Sequence, residues 1–260
     1  MTSQVSEVSD APLVALSSVT KSFGARPVLD GIDLAVRPGE FVSVIGPSGC
    51  GKSTVFGIVA GLETPDTGSV SAPTCAHMPQ KDLLFPWRSV LDNTTLGLEV
   101  QRVPRKQARD RAAALFPRFG LAGFEDARPH QLSGGMRQRA ALLRTVVQDR
   151  SVLLLDEPFG ALDSLTRTEM QTWLQDVWQQ YRWTVLMITH DVREAVFLSD
   201  RVVVLSARPA AVRREVVVDL PRPRELSVVT SPEFAAIEGE LIEVLHQESR
   251  RALAEQDTAG

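Results

Sequence analysis

Cysteine is scarce in this chain. Cys50 and Cys75 are the only two in 260 residues, too few for a disulfide framework, and this scarcity points to a reducing compartment. Long apolar runs are missing too. Stretches such as Val152–Leu155 fall far short of the roughly 20 residues that a membrane helix needs. No basic residue precedes Lys21 and no apolar leader core is present, so no signal peptide is expected. A protein of this kind serves a membrane, if at all, from the side. An excess of positive charge is also lacking: the formal net charge is −4, which gives no reason to expect nucleic acid as a partner. No Cys/His cluster has zinc-ligand spacing, and no internal repeat is evident. With 43% hydrophobic and 23% charged residues, the composition suits one large globular domain or a domain with lobes.

The charge is unevenly spread. Residues 83–149 carry eleven Lys/Arg against six Asp/Glu, a local +5 that leaves −9 elsewhere. This reads as solvated helix faces, or as a lobe that meets a partner or phosphates. Residues 1–11 read as a loose tail. Leu13–Val19, Val28–Val36 and Phe41–Ile45 are predicted strands, with Pro38-Gly39 as a turn between the last two. Lys52–Gly61 is predicted as a helix closed by Gly61. Gly68–Ser71 and Ala76–Gln80 are short strands. Helices are expected at Val90–Val100, Arg105–Phe119 and Gly134–Val147. Ser151–Leu155 is apolar from Val152 onward, as in a buried parallel strand. Leu165–Tyr181 is an amphipathic helix whose stripe of Met170, Trp173, Leu174, Val177, Trp178 and Tyr181 suits core packing. Strands at Thr184–Ile188 and Arg201–Leu205 flank a short helix, Val192–Leu198. Val212–Leu220 is a last strand or arm, and Pro232–Glu255 a terminal helix. The alternation implies an α/β fold with a largely parallel sheet.

Residues Gly46, Pro47, Ser48, Gly49, Cys50, Gly51, Lys52, Ser53 and Thr54 fit the phosphate-loop pattern between a strand and a helix. Glycines let backbone N–H groups close on phosphate oxygens, and the helix N-terminus adds positive potential. Lys52 is placed to reach the β- and γ-phosphates, and Ser53 to offer a hydroxyl to Mg²⁺. Cys50 reads as a small filler, not a nucleophile. The apolar strand before Asp156-Glu157 delivers two carboxylates to its carboxyl end, where ligands bind in such sheets. Asp156 suits the Mg²⁺ shell. Glu157 can face the attacking water as a base. His190 follows another strand at the matching position, although Thr189-His190-Asp191 would also serve as a helix cap. Gln80 has a side-chain oxygen for Mg²⁺ or water. His77, His130 and His246 have no such context.

The chain resembles the ATP-binding cassette (ABC) ATPases over about residues 12–221. The phosphate loop, Gln80, the run Leu132-Ser133-Gly134-Gly135-Met136, the acidic strand, Ala161-Leu162-Asp163 and His190 follow in that family's order. The resemblance implies a P-loop NTPase (RecA-like) core with an antiparallel β subdomain, an inserted helical subdomain at 82–150 and a C-terminal helical extension at 222–260. It implies ATP and Mg²⁺ as ligands. Phe23 would stack on adenine, where Tyr is commoner. Gln80 would sense Mg²⁺ and the γ-phosphate. Glu157 would be the general base, and His190 would bridge γ-phosphate and water. Ser133, Gly134 and Gly135 would meet the γ-phosphate held by a second copy, and Asp163 would report across that dimer.

The segment Gln80–Arg88, with Leu84-Phe85-Pro86-Trp87, is similar to importers of the nitrate/sulfonate/taurine type. The short Gly68–Gln80 stretch is similar to that of pyrimidine (thiamine-precursor) importers. The implied assembly is a homodimer on the cytoplasmic face of the membrane, bound to permease subunits and indirectly served by an extracytoplasmic solute-binding protein. Leu84–Trp87 would help form a groove for a permease helix, unless the lobe buries them. A soluble ABC ATPase of repair or translation is a second reading, but it usually has two cassettes or long coiled insertions. A P-loop kinase leaves residues 132–136 and His190 unexplained.

Overall fold

A computed structural model describes residues 11–258. The tail expected at 1–11 therefore lies, except for Ala11, outside the described residues. The chain runs through β1 (Val14–Phe23), β2 (Arg26–Val36), β3 (Phe41–Ile45), α1 (Lys52–Val59), β4 (Thr67–Ser71) and β5 (Ala76–Met78). Four helices follow: α2 (Val90–Thr94), α3 (Leu96–Val100), α4 (Arg105–Ala113) and α5 (Gly134–Val146). Then come β6 (Val152–Asp156), α6 (Ser164–Tyr181), β7 (Thr184–Ile188), α7 (Val192–Leu198), β8 (Arg201–Leu205), β9 (Val212–Val217) and α8 (Pro232–Thr258).

The main sheet has the order β5-β6-β7-β3-β8-β9. All neighbours are parallel except β8 and β9. Helices cover both faces, so strands such as β3 and β7 are buried at every position, which is why they read as unbroken apolar runs. Alternate residues feed two cores. Phe41, Ile45, Leu153 and Leu155 face the layer of α5, α6 and α7. Val42, Val44, Val152 and Leu154 face α1 and the second sheet. That second sheet is antiparallel, in the order β2-β1-β4. Trp178 of α6 is fully buried and meets Phe41 edge-on at 5.9 Å. Of the predicted stripe on α6, Met170, Leu174, Val177 and Trp178 are buried, while Trp173 and Tyr181 pack against the same core.

Two helices differ from expectation. Val90–Val100 is two short helices, not one. The Thr94 and Thr95 hydroxyls donate to Leu91 O and Asp92 O, a back-bonding that bends helices, and Gly97 weakens the continuation. The helix expected to reach Phe119 ends at Ala113. Pro117 lies in the following turns, and Gly120 takes a left-handed φ of 63°. Gly61 does close the α1 region, with φ of 71° and Leu62 N–H donating to Gly57 O at 2.8 Å, as a C-terminal glycine cap does.

Candidate functional site

The loop after β3 curls back on Lys52. The Lys52 ammonium donates to Gly46 O at 2.8 Å and Pro47 O at 2.9 Å. It is 8% exposed, and among the described residues it forms no ion pair with a carboxylate. Its third contact is a long one, to Cys50 Sγ at 3.9 Å, and a buried cation so weakly held on one side is a seat for an anion. Gly51 has φ of 126°, and a β-carbon there would lie 2.9 Å from Leu29 Cδ2; only glycine lets the loop close against β2. Arg208, from the β8–β9 connection, donates to Gly49 O. No local pattern announced that arginine, which lies 159 residues further along. Cys50 is buried, and burial raises its thiol pKa despite Lys52 nearby, consistent with a filler and not a nucleophile.

Gln80, Glu157 and His190 follow β5, β6 and β7 respectively, and these three strands are neighbours in the sheet. Their ends bring the three side chains together. Gln80 Nε2 donates to Glu157 Oε2 at 2.8 Å. His190 Nδ1 lies 3.3 Å from the same oxygen. Glu157 N–H donates to Ile188 O at 2.9 Å, and its φ of 44° is left-handed, a conformation uncommon outside glycine. The carboxylate is therefore aimed by its backbone. A carboxylate can only accept, so Gln80 turns its amide N–H toward it and leaves its carbonyl oxygen for a cation.

Asp156 ends β6. Its carboxyl pKa is raised, first by burial and then by the neighbouring Glu157, with Lys52 opposing. Crowded acids of this kind favour a cation between them. Together with exposed Ser53, the donors are all hard oxygens, which suits Mg²⁺. Among the described residues, no cluster of three or more His, Cys, Asp or Glu side chains could hold a metal.

Ser133 and Asp163 do not reach this centre; each starts a helix. Ser133 Oγ accepts from Met136 N–H at 3.2 Å to cap α5. Asp163 Oδ1 accepts from Thr166 N–H at 3.1 Å to cap α6, and that bond holds its carboxyl below the usual range. The two starts lie side by side. A β-carbon at Gly135 would sit 2.8 Å from Thr166 Cγ2, and one at Gly134 3.6 Å from Leu162 Cδ2. Phe23 ends β1 and is half exposed, with Lys21 Nζ 5.4 Å from its ring centroid.

The basic excess of 83–149 is largely spent inside the lobe. Arg88 pairs with Glu99, Arg109 with Asp92, and Arg111 with Asp149. Arg137 and Arg144 of α5 hold the segment after Gln80: Arg137 Nε lies 3.2 Å from Asp82, and Arg144 donates to Asp82 O and Leu83 O. The apolar segment divides. Leu84 is buried, whereas Phe85 and Trp87 stack face to face at 5.0 Å on the surface. Trp87 borders a cavity of about 600 Å³ lined also by Arg88, Asp92, Glu99, Val103 and Arg128.

The profile of the ABC transporter family matches residues 29–160. An aliphatic sulfonates import ATP-binding protein, SsuB 1 of Agrobacterium fabrum, is 46% identical over 231 residues, covering 88% of this chain and 82% of that protein. The formylaminopyrimidine import ATP-binding protein ThiZ of Halalkalibacterium halodurans is 41% identical, covering 87% of this chain and 93% of that one. Among solved structures, the dimeric bacterial ABC transporter cassette MJ0796 superposes with a TM-score of 0.69 at 29% identity, over 80% of this chain and all of that one. The same cassette is known as a dimer in a post-hydrolysis state bound to ADP and Pi.

Proposed function

The chain belongs to the ABC transporter family of ATP-binding proteins, and from that premise we propose that it is the ATP-hydrolysing subunit of an importer, working as a pair beneath a membrane permease. Relatives named for the import of sulfonates and of formylaminopyrimidine support import over a role in repair or translation. The observation that carries the reading is the convergence of Gln80 and His190 on one oxygen of Glu157, two strands away from β3, whose following loop leads to Lys52 at the start of α1.

In this reading residues 12–221 are the ATPase domain, 82–150 its helical lobe and 222–260 an extension. Gly46–Thr54 hold the phosphates of ATP and Phe23 stacks on the adenine. Ser53, Gln80 and Asp156 hold Mg²⁺, which neutralises charge on the phosphates when bound. Glu157 orients water and takes its proton, and His190 stands between that carboxylate and the γ-phosphate. Ser133, Gly134 and Gly135 open α5 with N–H groups directed outward, which suits a phosphate held by the second copy; Asp163 sits beside them to face that copy. Trp87 and its cavity receive a permease helix. Arg137 and Arg144 of α5 hold Asp82 and Leu83, the residues between Gln80 and the Phe85–Trp87 face. A solute-binding protein would act through the permease alone. Among the described residues no helix is long and apolar enough to cross a membrane, which fits a peripheral subunit at the cytoplasmic face. Reconstitution with the permease tests this: solute uptake should require ATP and stop with Glu157→Gln. Uptake that persists in that variant would refute it.

A further inference from the structure

His190 has little of its own to hold it. Its side chain is 62% exposed and its polar neighbour is Glu157, 3.3 Å away. Its position is therefore set by the chain on either side, and that chain is fastened to α6. Arg167, one turn into α6, makes two contacts. Its Nη2 donates to Leu162 O at 3.0 Å, holding the turn just before Asp163. Its Nη1 lies 3.6 Å from Asp191 Oδ2, the residue after His190. Asp191 in turn caps α7 through Glu194 N–H at 3.1 Å. One helical turn beyond Arg167, Gln171 Nε2 donates to Glu194 Oε2 at 3.1 Å. Residues four apart on a helix share a face, so Arg167 and Gln171 form two successive rungs from α6 to the start of α7. Glu194 is 3% exposed, and its second oxygen makes no hydrogen bond of good geometry, although the Thr189 hydroxyl is near enough to favour its charged form. Burying such a group costs stability, and the phosphate loop, lying on other elements, gains nothing from it directly.

We propose that Arg167, Gln171 and Glu194 are positioning residues that fasten His190 to the Asp163 turn, so that a shift of Asp163 against the second copy moves His190 relative to Glu157. The inference rests on the reading of His190 and Glu157 given above. It makes the two ends of the clasp mechanically one body. Leu162 O, Arg167 and Asp191 form an outer, partly solvated rung, and Gln171 and Glu194 form an inner one that is buried at Glu194 and half-buried at Gln171. The inner rung is less screened by water at its glutamate end, so it should carry most of the stiffness.

The test uses the purified full-length protein with Glu194→Ala, Gln171→Ala, Glu194→Gln and His190→Ala. ATP turnover and ATP affinity are measured separately, together with the imidazole proton resonances. The chain has only four histidines, so His190 can be assigned through the spectrum of His190→Ala. The expected result is a fall in kcat of tenfold or more for Glu194→Ala at unchanged KM, with a moved His190 resonance. Glu194→Gln, which can still accept from Gln171, should restore most of the turnover and return the resonance. Unchanged kcat in both alanine variants, or a parallel loss of affinity and turnover with an unmoved His190 resonance, would overturn the clasp. Full turnover in His190→Ala would instead refute the reading of the site on which it rests, a separate outcome.

Discussion

Gln80 donates to Glu157 at 2.8 Å through the very oxygen that faces His190. A single carboxylate oxygen thus receives contacts from residues 77 positions upstream and 33 downstream, brought together because β5, β6 and β7 end side by side. Glu157→Gln should lower ATP turnover by about a hundredfold or more, the usual weight of a general base, while ATP still binds. Without hydrolysis the ATP-bound pair should persist, and size-exclusion chromatography with ATP should show a stable dimer. Normal turnover in this variant would remove Glu157 from the chemistry.

Lys52 is held by two carbonyls of its own loop, so its charge is fixed before any nucleotide arrives. Lys52→Ala should weaken ATP binding roughly tenfold to a hundredfold, the worth of about 1.5–3 kcal/mol for a hydrogen bond to a charged group. Titration with a fluorescent ATP analogue measures this. Affinity within twofold of the parent would mean that backbone N–H groups alone hold the phosphates.

Ser133 caps α5 away from Lys52, Glu157 and His190. Ser133→Arg should leave ATP affinity of the monomer largely intact and suppress both the ATP-dependent dimer and turnover. Analytical ultracentrifugation of the Glu157→Gln/Ser133→Arg double variant isolates the dimer step. A dimer as stable as that of Glu157→Gln alone would reduce residues 132–136 to a helix start.

Glu194 gives a pH signature. Burial first, and the neighbouring Asp191 second, raise its pKa from an ordinary 4.5 to about 8. The folded state therefore binds this proton more tightly than the unfolded state does. Its contribution to stability is complete below about pH 4.5 and drains away as pH rises to about 8. Glu194→Gln keeps a neutral group there at every pH. Relative to the parent, its melting temperature should rise between about pH 5 and pH 9. A difference that stays constant over that range would mean that Glu194 is charged throughout.

Trp87 and Phe85 stack on the surface with no core behind Trp87, which is 70% exposed. Trp87→Ala should leave the melting temperature and basal ATP binding close to those of the parent. It should weaken recovery of the permease in a pull-down by tenfold or more, as central aromatic anchors do. Undiminished recovery would place the permease contact elsewhere.

What could be read from sequence was local. The phosphate loop, the apolar strand before Asp156 and the alternation of elements each need only neighbours in the chain. The order β5-β6-β7-β3 did not follow from them, and so neither did the meeting of Gln80 with Glu157. The basic residues of 83–149 show the same limit from the other side. Their number was plain, yet Arg137 finds Asp82 across 55 residues and Arg144 reaches carbonyls 61 and 62 residues away. Arg224 is the extreme case. It is 2% exposed and donates to Val196 O, Phe197 O and Ser199 O at the end of α7, a role for a buried arginine that no periodicity signals. The break at Thr95 was missed because helix pattern and hydroxyl back-bonding compete within one turn.

The left-handed backbone at Glu157 sets stability against activity at a single residue. Holding a non-glycine side chain in that region costs on the order of 1–3 kcal/mol, and the rest of the fold must carry it. Glycine there would relax the chain and yield a protein that melts later and has lost the base it needs for turnover. A search for thermostable variants that ignored turnover would therefore drift toward losing this glutamate.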